Sequence, residues 1–330
     1  MPTRLPVASF WTWWSAEGAT LVSHSIASGD FTPAQRALTE RVARMHPDLE
    51  WELGPGAGAA HRLTVTSGGL AAVRPFAERW FRAAPVTSAT WEYSPSRARR
   101  SDALQASIQL GPVPVRLSDA QWALELDERR ALVDIAFWHP ALAESPESIR
   151  SQACFLMLDW LLGEDDVERW AGSVSFDRPL ERWHSSTDLI GLVDWLPTRF
   201  PRDAWTTGEG QVGEHPALLS TRTALRWIDD PTLDLHTLAN LPFATSRGDG
   251  LPDEAAQTWI QQAEEWLLSA VGHGTALVAT VTARGTRQLH LYSDSQDQNA
   301  VERLRAALAQ LGAQVQHQPD PAWQAVASLR

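Results

Sequence analysis

No lysine occurs among the 330 residues, so every one of the 28 basic side chains is an arginine. That absence excludes a phosphate loop built on a lysine and Schiff-base chemistry built on an amine. A GC-rich genome is the simplest cause of the bias. Cysteine occurs once, as Cys154, which excludes an intramolecular disulfide framework and fits a reducing compartment. No apolar run approaches the roughly 20 residues that span a bilayer. The segment Met1-Pro2-Thr3-Arg4-Leu5-Pro6 lacks the uninterrupted apolar core of a secretion signal. The expectation is a cytoplasmic protein with no membrane partner.

What is present is an ordinary globular composition, with 44% hydrophobic and 21% charged residues, and a chain long enough for two or three domains. The 17 tryptophans are unusual. Their rings could stack on sugars or bases, but side chains that bury so much area more often fill cores. Charge is lopsided: residues 1–120 carry a net +2 and residues 121–330 a net −14, for −12 in total. So acidic a chain is repelled by polyphosphate, which argues against a nucleic-acid partner. Arg97, Arg99 and Arg100 form the one basic spot, read as a solvated loop.

Local chemistry is sparse. No two of the ten histidines lie closer than 15 positions (His46 to His61), which excludes zinc signatures of closely spaced histidines. Neither a metal nor a cofactor is expected. Gly208-Glu209-Gly210-Gln211-Val212-Gly213 matches the dinucleotide fingerprint in letters, but no strand–helix context surrounds it, and it reads as linker. Residues 54–58, rich in glycine, join two strands and lack the helix start that a phosphate loop uses. Glu50, Glu52 and Glu92 could share a sheet face, where paired carboxylates can do acid–base work, although a solvated face is the simpler reading. Cys154, beside an apolar helix stripe, reads as buried rather than nucleophilic.

The pattern of apolar residues and breakers organises the chain. A helix holds Phe10, Trp11, Trp14, Leu21 and Ile26 at helical spacing; a second starts with Thr32 as cap, Pro33 and Gln35, and stops at His46-Pro47. Strands around Leu49–Leu53 and Leu63–Val65, a helix over 71–83 and a strand with Trp91 and Tyr93 follow. Then come a hairpin about Gly111-Pro112, a pair of strands over 122–138, and a helix with stripe Ile149, Ala153, Leu156 and Trp160 closed by Gly163. A helix over 185–196 precedes a linker at 206–213. The last third reads as a helix from Pro252-Asp253-Glu254, strands over 276–283 and 288–293, a helix through Val301, Leu304, Leu308 and Leu311, and a strand over 314–318.

Residues 33–93 and 254–323 share one order of helix, strand, strand, helix, strand. The expected fold class is therefore α+β: two ferredoxin-like (split βαβ) antiparallel sheet units with helices on one face, joined by a helical and loop linker. The expected domains are 1–180, a linking 181–220 and 221–330.

The last third also carries a vocabulary: Gly250-Leu251-Pro252, Glu264-Glu265, Gly285-Thr286-Arg287-Gln288-Leu289-His290-Leu291-Tyr292, and Asp320-Pro321-Ala322-Trp323. In that order it resembles the bacterial family catalogued as domain of unknown function 695, over residues 225–326. The resemblance implies no agreed reaction or cofactor, but it marks Arg287, Tyr292, Asp320 and Trp323 as candidate ligand- or partner-binding residues. Arginine could fork onto a carboxylate or phosphate and Trp323 could offer a stacking plate; alternatively Asp320 serves its proline turn and Trp323 covers the sheet. With no compact catalytic motif, the leading expectation is a non-catalytic binding or regulatory protein that holds a protein partner or small ligand on a sheet face or in an inter-domain groove. The alternative is a hydrolase with a dispersed carboxylate and histidine site, which expects His61, His139 or His290 beside an acid in a pocket.

Overall fold

A computed structural model describes residues 4–110, 113–176 and 182–330. The expected turn at Gly111-Pro112 and the first three residues lie outside that range. The chain divides into two compact units, Met1–Arg199 and Phe200–Arg330.

The first unit opens with α1 (Arg4–Trp13), a π-helical turn (Trp14–Gly18) and α2 (Ala19–Ser28), where one continuous helix was expected. The cause is local. The Trp13 indole lies over Gly18, so close that a Cβ there would stand 2.9 Å from the ring, and the extra residue of a π turn accommodates it. Helix α3 (Thr32–Met45) begins one residue earlier than expected: Asp30 accepts the Thr32 amide at 3.1 Å, and the capping box is not made. Strands β1 (Glu50–Pro55) and β2 (His61–Thr66) pair antiparallel; α4 (Arg74–Arg82) then returns the chain to β3 (Trp91–Ser94), which pairs parallel to β2. The parallel pair corrects the expectation of a wholly antiparallel unit here, because a helical crossover brings β3 back in the direction of β2.

After a hairpin of β4 (Ser107–Leu110) and β5 (Val113–Arg116), the same plan recurs. Strands β6 (Gln121–Asp127) and β7 (Leu132–Trp138) are antiparallel; α5 (Glu147–Leu162) and α6 (Glu164–Trp170) lead to β8 (Ala171–Ser175), parallel to β7. Helix α7 (Ser186–Arg199) closes the unit. Cys154 is fully buried in α5, and burial pushes its thiol up, so it is no nucleophile.

The second unit is one six-stranded sheet. Its elements are β9 (Thr206–Val212), β10 (His215–Thr221), β11 (Leu235–Pro242), α8 (Glu254–Val271), β12 (Thr275–Ala283), β13 (Thr286–Ser293), α9 (Gln298–Gln310) and β14 (Gln314–Pro319). The strand order is β14-β11-β13-β12-β10-β9, antiparallel throughout. The 206–213 linker is thereby corrected to an edge strand. Every residue of β9 is exposed, so it carries none of the apolar alternation by which a strand is recognised. Helices α8 and α9 lie together on one face, where Leu267, Val271, Leu304 and Leu308 meet Leu241, Leu277, Leu289 and Leu291. Asp253 and Asp297 cap them through the amides of Ala256 and Ala300. The other face receives Leu225, Leu233, Trp323 and Val326.

Tryptophan fills the core of the first unit, whereas Trp183, Trp195, Trp205, Trp259 and Trp266 are exposed. Phe10, Trp11, Trp14, Trp80, Trp91 and Tyr93 pack edge-on or stacked with centroids 4.8–6.5 Å apart. Trp11 donates to the Trp80 carbonyl and Trp14 to the Tyr93 hydroxyl, both at 2.8 Å, whereas the buried Trp80 Nε1 has no partner among the described residues. Trp80→Ala is expected to destabilise by about 3–5 kcal/mol. Trp80→Phe, which keeps a ring and removes an unmet donor, is expected to be less costly than Trp14→Phe. Urea denaturation of the three variants checks the order; a Trp80→Phe protein as damaged as Trp80→Ala would contradict it.

Candidate functional site

Of the four residues marked by the resemblance, Tyr292, Asp320 and Trp323 come together and Arg287 stands apart. Alternation along β13 sends Arg287 to the helix face and Tyr292 to the opposite one. Arg287 Nε donates to Glu264 Oε1 of α8 at 2.7 Å and Nη1 to Thr282 at 2.6 Å, so its fork is engaged within the unit. Tyr292 is fully buried, donates to Asp320 Oδ2 at 2.7 Å, and stacks on Trp323 with centroids 4.5 Å apart. Asp320 also accepts the amides of Gln324 and Ala325 at 2.8 and 2.9 Å. Trp323 donates to the Leu233 carbonyl at 2.8 Å and is buried, with φ at 52°, a left-handed conformation uncommon for so bulky a residue. No open stacking plate remains. Burial and the Asp320 carboxylate push the Tyr292 hydroxyl well above its ordinary range.

The histidines of the hydrolase alternative are occupied as well. His139 is buried with Nε2 on the Arg116 carbonyl at 2.9 Å and Nδ1 accepting the Ala141 amide. His290 lies 3.2 Å from His236, and burial together with that neighbour lowers it to about 4, so it is neutral. His61 packs against the Trp91 ring. Among the described residues no group of three or more His, Cys, Asp or Glu is placed to hold a metal ion.

A cleft of about 1010 Å³ lies instead within the first unit. Its walls are β1 and the turn after it, Arg62 and Thr64 of β2, the loop 97–102, and Leu156, Asp159 and Trp160 of α5. The arginines read as a solvated loop line this cleft, each tied to acids. Arg97 donates to Glu50 at 2.6 Å and to Glu52 at 3.1 Å; Arg99 reaches Asp194 at 2.9 Å; Arg100 forks onto Asp102 and covers the Trp160 ring at 4.2 Å. Arg62 clamps Glu92, which also accepts the amides of Ala57 and Gly58 at 2.9 Å. Burial opposes the Glu92 charge, but those amides and Arg62 outweigh it and hold the carboxyl at about 2. The glycine-rich turn is therefore filled by the protein's own carboxylate.

Beneath the loop sits Glu164, buried at the start of α6. Its carboxylate accepts Thr66 Oγ1 at 2.7 Å and the amides of Gly69 and Arg97 at 3.1 and 3.0 Å, while its own amide donates to the Arg97 carbonyl at 2.9 Å. Nearby, Arg74 is buried and ties Asp165 at 2.6 Å. The crowding displaces two further acids. Burial, then Glu164 and Glu52, raise Asp159 to about 6 against the pull of Arg97. Burial, then Glu164, Asp159 and Asp165, raise Glu168 to about 7 against Arg74. Neither carboxyl accepts a hydrogen bond from a described residue. Single residues spread from β1 to α6 build this site, so spacing carried no signal of it; the loop's three arginines in an acidic chain were the one available cue.

A family model, described as a family of unknown function (DUF695), matches residues 203–327. The match begins earlier than the resemblance did and takes in the β9–β10 hairpin. None of the curated proteins and none of the solved structures matches the chain.

Two outcomes follow. Asp159 and Glu168 bind protons more tightly folded than unfolded, so their contribution is present below the ordinary carboxyl range and is lost as pH rises through about 6 and 7. Glu168→Gln is expected to be more stable than the parent by about 1–2 kcal/mol at pH 8 and equal to it near pH 4; chemical denaturation at the two pH values checks this, and equal stability at pH 8 sinks it. Gly163, at φ 83°, abuts the loop so closely that a Cβ would lie 2.9 Å from the Arg99 nitrogen. Gly163→Ala is expected to cost about 1–3 kcal/mol, and more if the loop cannot shift, read as a lowered Tm with faster amide exchange at residues 97–100.

Proposed function

We propose that this chain is a non-catalytic binding protein that holds a small ligand in the cleft of its first unit. The observation that carries the reading is the cleft, of about 1010 Å³, whose walls are pinned by ion pairs and by the Glu164 latch before any ligand arrives. A pocket of that size with fixed polar groups suits a small molecule, and pre-ordered walls lower the entropy lost on binding. The reading moves the expected binding place from a sheet face or inter-domain groove to a site inside one unit. A cytoplasmic, regulatory role is consistent with the acidic chain.

We also infer that the second unit is built on a ferredoxin-like core. Helix α8 joins β11 to β12 across the intervening β13, α9 joins β13 to β14 across β11, and both helices lie on one face; these support a split-βαβ plan extended by the β9–β10 hairpin.

One observation favours the hydrolase reading: the cleft contains Asp159, a carboxyl raised to about 6, in the range suited to a general acid. Native mass spectrometry of protein purified gently from its own host separates the two. A retained small molecule, released on denaturation, is the expected result. Turnover in a broad hydrolase and transferase panel, abolished by Asp159→Asn, would replace binding with catalysis.

A further inference from the structure

Resting on the binding reading, the polar groups of the cleft say which ligand class it takes. Arg62, Arg97 and Arg100 are each held in the same manner: Nε and Nη2 engage carboxylates, Glu92 for Arg62, Glu52 and Glu50 for Arg97, and Asp102 for Arg100. In all three, Nη1 makes no hydrogen bond to a described residue. Guanidinium groups are rigid forks, so fixing one edge fixes the direction of the donors on the rest. The restraining acids do most of the ordering, and an incoming acceptor need not immobilise three long side chains. Thr64, with its residue only 3% exposed, lines the same cleft and its hydroxyl likewise has no described partner.

We propose that the cleft takes a small-molecule oxyanion, carboxylate or phosphate, on the Nη1 edges of Arg62, Arg97 and Arg100, and that Asp159 governs this capture by its protonation. The groups facing Asp159 are Glu164 and Glu168 on α6, Glu52 on β1 and Arg97 on the loop. Charged, Asp159 adds a third acid to the lining beside Glu52 and Asp102 and repels the ligand. Protonated, it removes that repulsion and offers an O–H donor beside Arg97. Capture therefore strengthens as pH falls through the Asp159 titration, with the proton taken up from solvent.

The test is isothermal titration of the full chain with pyrophosphate, citrate and neutral glucose at pH 5.5 and 7.5, on the parent, Asp159→Asn and Arg100→Gln. Arg100 is substituted because its pair with Asp102 is exposed, so the change is expected to leave the fold intact, which an unshifted Tm checks. The expected result is that an anion binds the parent, and glucose does not, with affinity about tenfold higher at pH 5.5. Asp159→Asn keeps the higher affinity at both pH values, and Arg100→Gln weakens binding at both. Each probe's own titration is common to all three proteins and cancels in the comparison. Pyrophosphate binding without citrate points to phosphate, and the reverse to carboxylate. The proposal fails if neither anion binds, if Asp159→Asn keeps the parent's pH dependence, or if Arg100→Gln changes nothing. A neutral molecule retained in the native mass spectrum alongside failed anion titrations would sink the oxyanion class and leave the binding reading standing; an empty spectrum with no probe bound would sink both.

Discussion

A single buried carboxylate organises the first unit. Glu164 receives a hydroxyl from the end of β2, an amide from the turn after it, and an amide from the loop that walls the cleft. A buried charge is tolerated only when its acceptor sites are filled, so those three segments must stay where they are for the charge to remain satisfied. The same charge then sets the field around it. Asp159 and Glu168 titrate late largely because burial adds to the proximity of Glu164, and Arg74 and Arg97 are drawn in to balance the acids. Loop position, cleft shape and proton affinity thus share one origin.

The second unit works differently. Apart from the exposed β9, its sheet is covered on both faces, by α8 and α9 on one side and by the 225–233 segment with Trp323 and Val326 on the other. The features that make it recognisable as sequence serve that closure. Asp320 gathers the Tyr292 hydroxyl and two amides of the terminal 3-10 turn, and Trp323 lies flat on Tyr292. Arg287 and Glu264 fasten a helix to its strand. A tryptophan after Asp-Pro stands out among residue types and is here a packing instruction.

Sequence reading succeeded where one residue's neighbours in the chain decide its fate. Gly163 ends α5, and the helix expected from Pro252-Asp253-Glu254 opens there as α8. Cys154 is buried on the helix that its apolar neighbours suggested. Reading failed where partners are distant or where an element lacks a pattern. The Trp13 ring over Gly18 inserts a π turn that helical spacing cannot reveal. The polar, glycine-punctuated β9 is a strand only because β10 pairs with it. The cleft is the extreme case: Glu92 fills the turn of residues 57 and 58, and Arg97 meets Glu50 and Glu52, across gaps that no periodicity spans.

The β9 strand has a consequence for how the molecule behaves in company. It is bare on both faces, no described strand pairs with its outer edge, and it contains neither proline nor lysine to deter a newcomer. Natural sheets guard such edges with charge, and here the guard is Glu209 alone, set between two glycines. At neutral pH two copies meeting edge to edge bring like charges together. Salt that screens this single charge lowers the only electrostatic fence of the edge, and self-association becomes a matter of concentration.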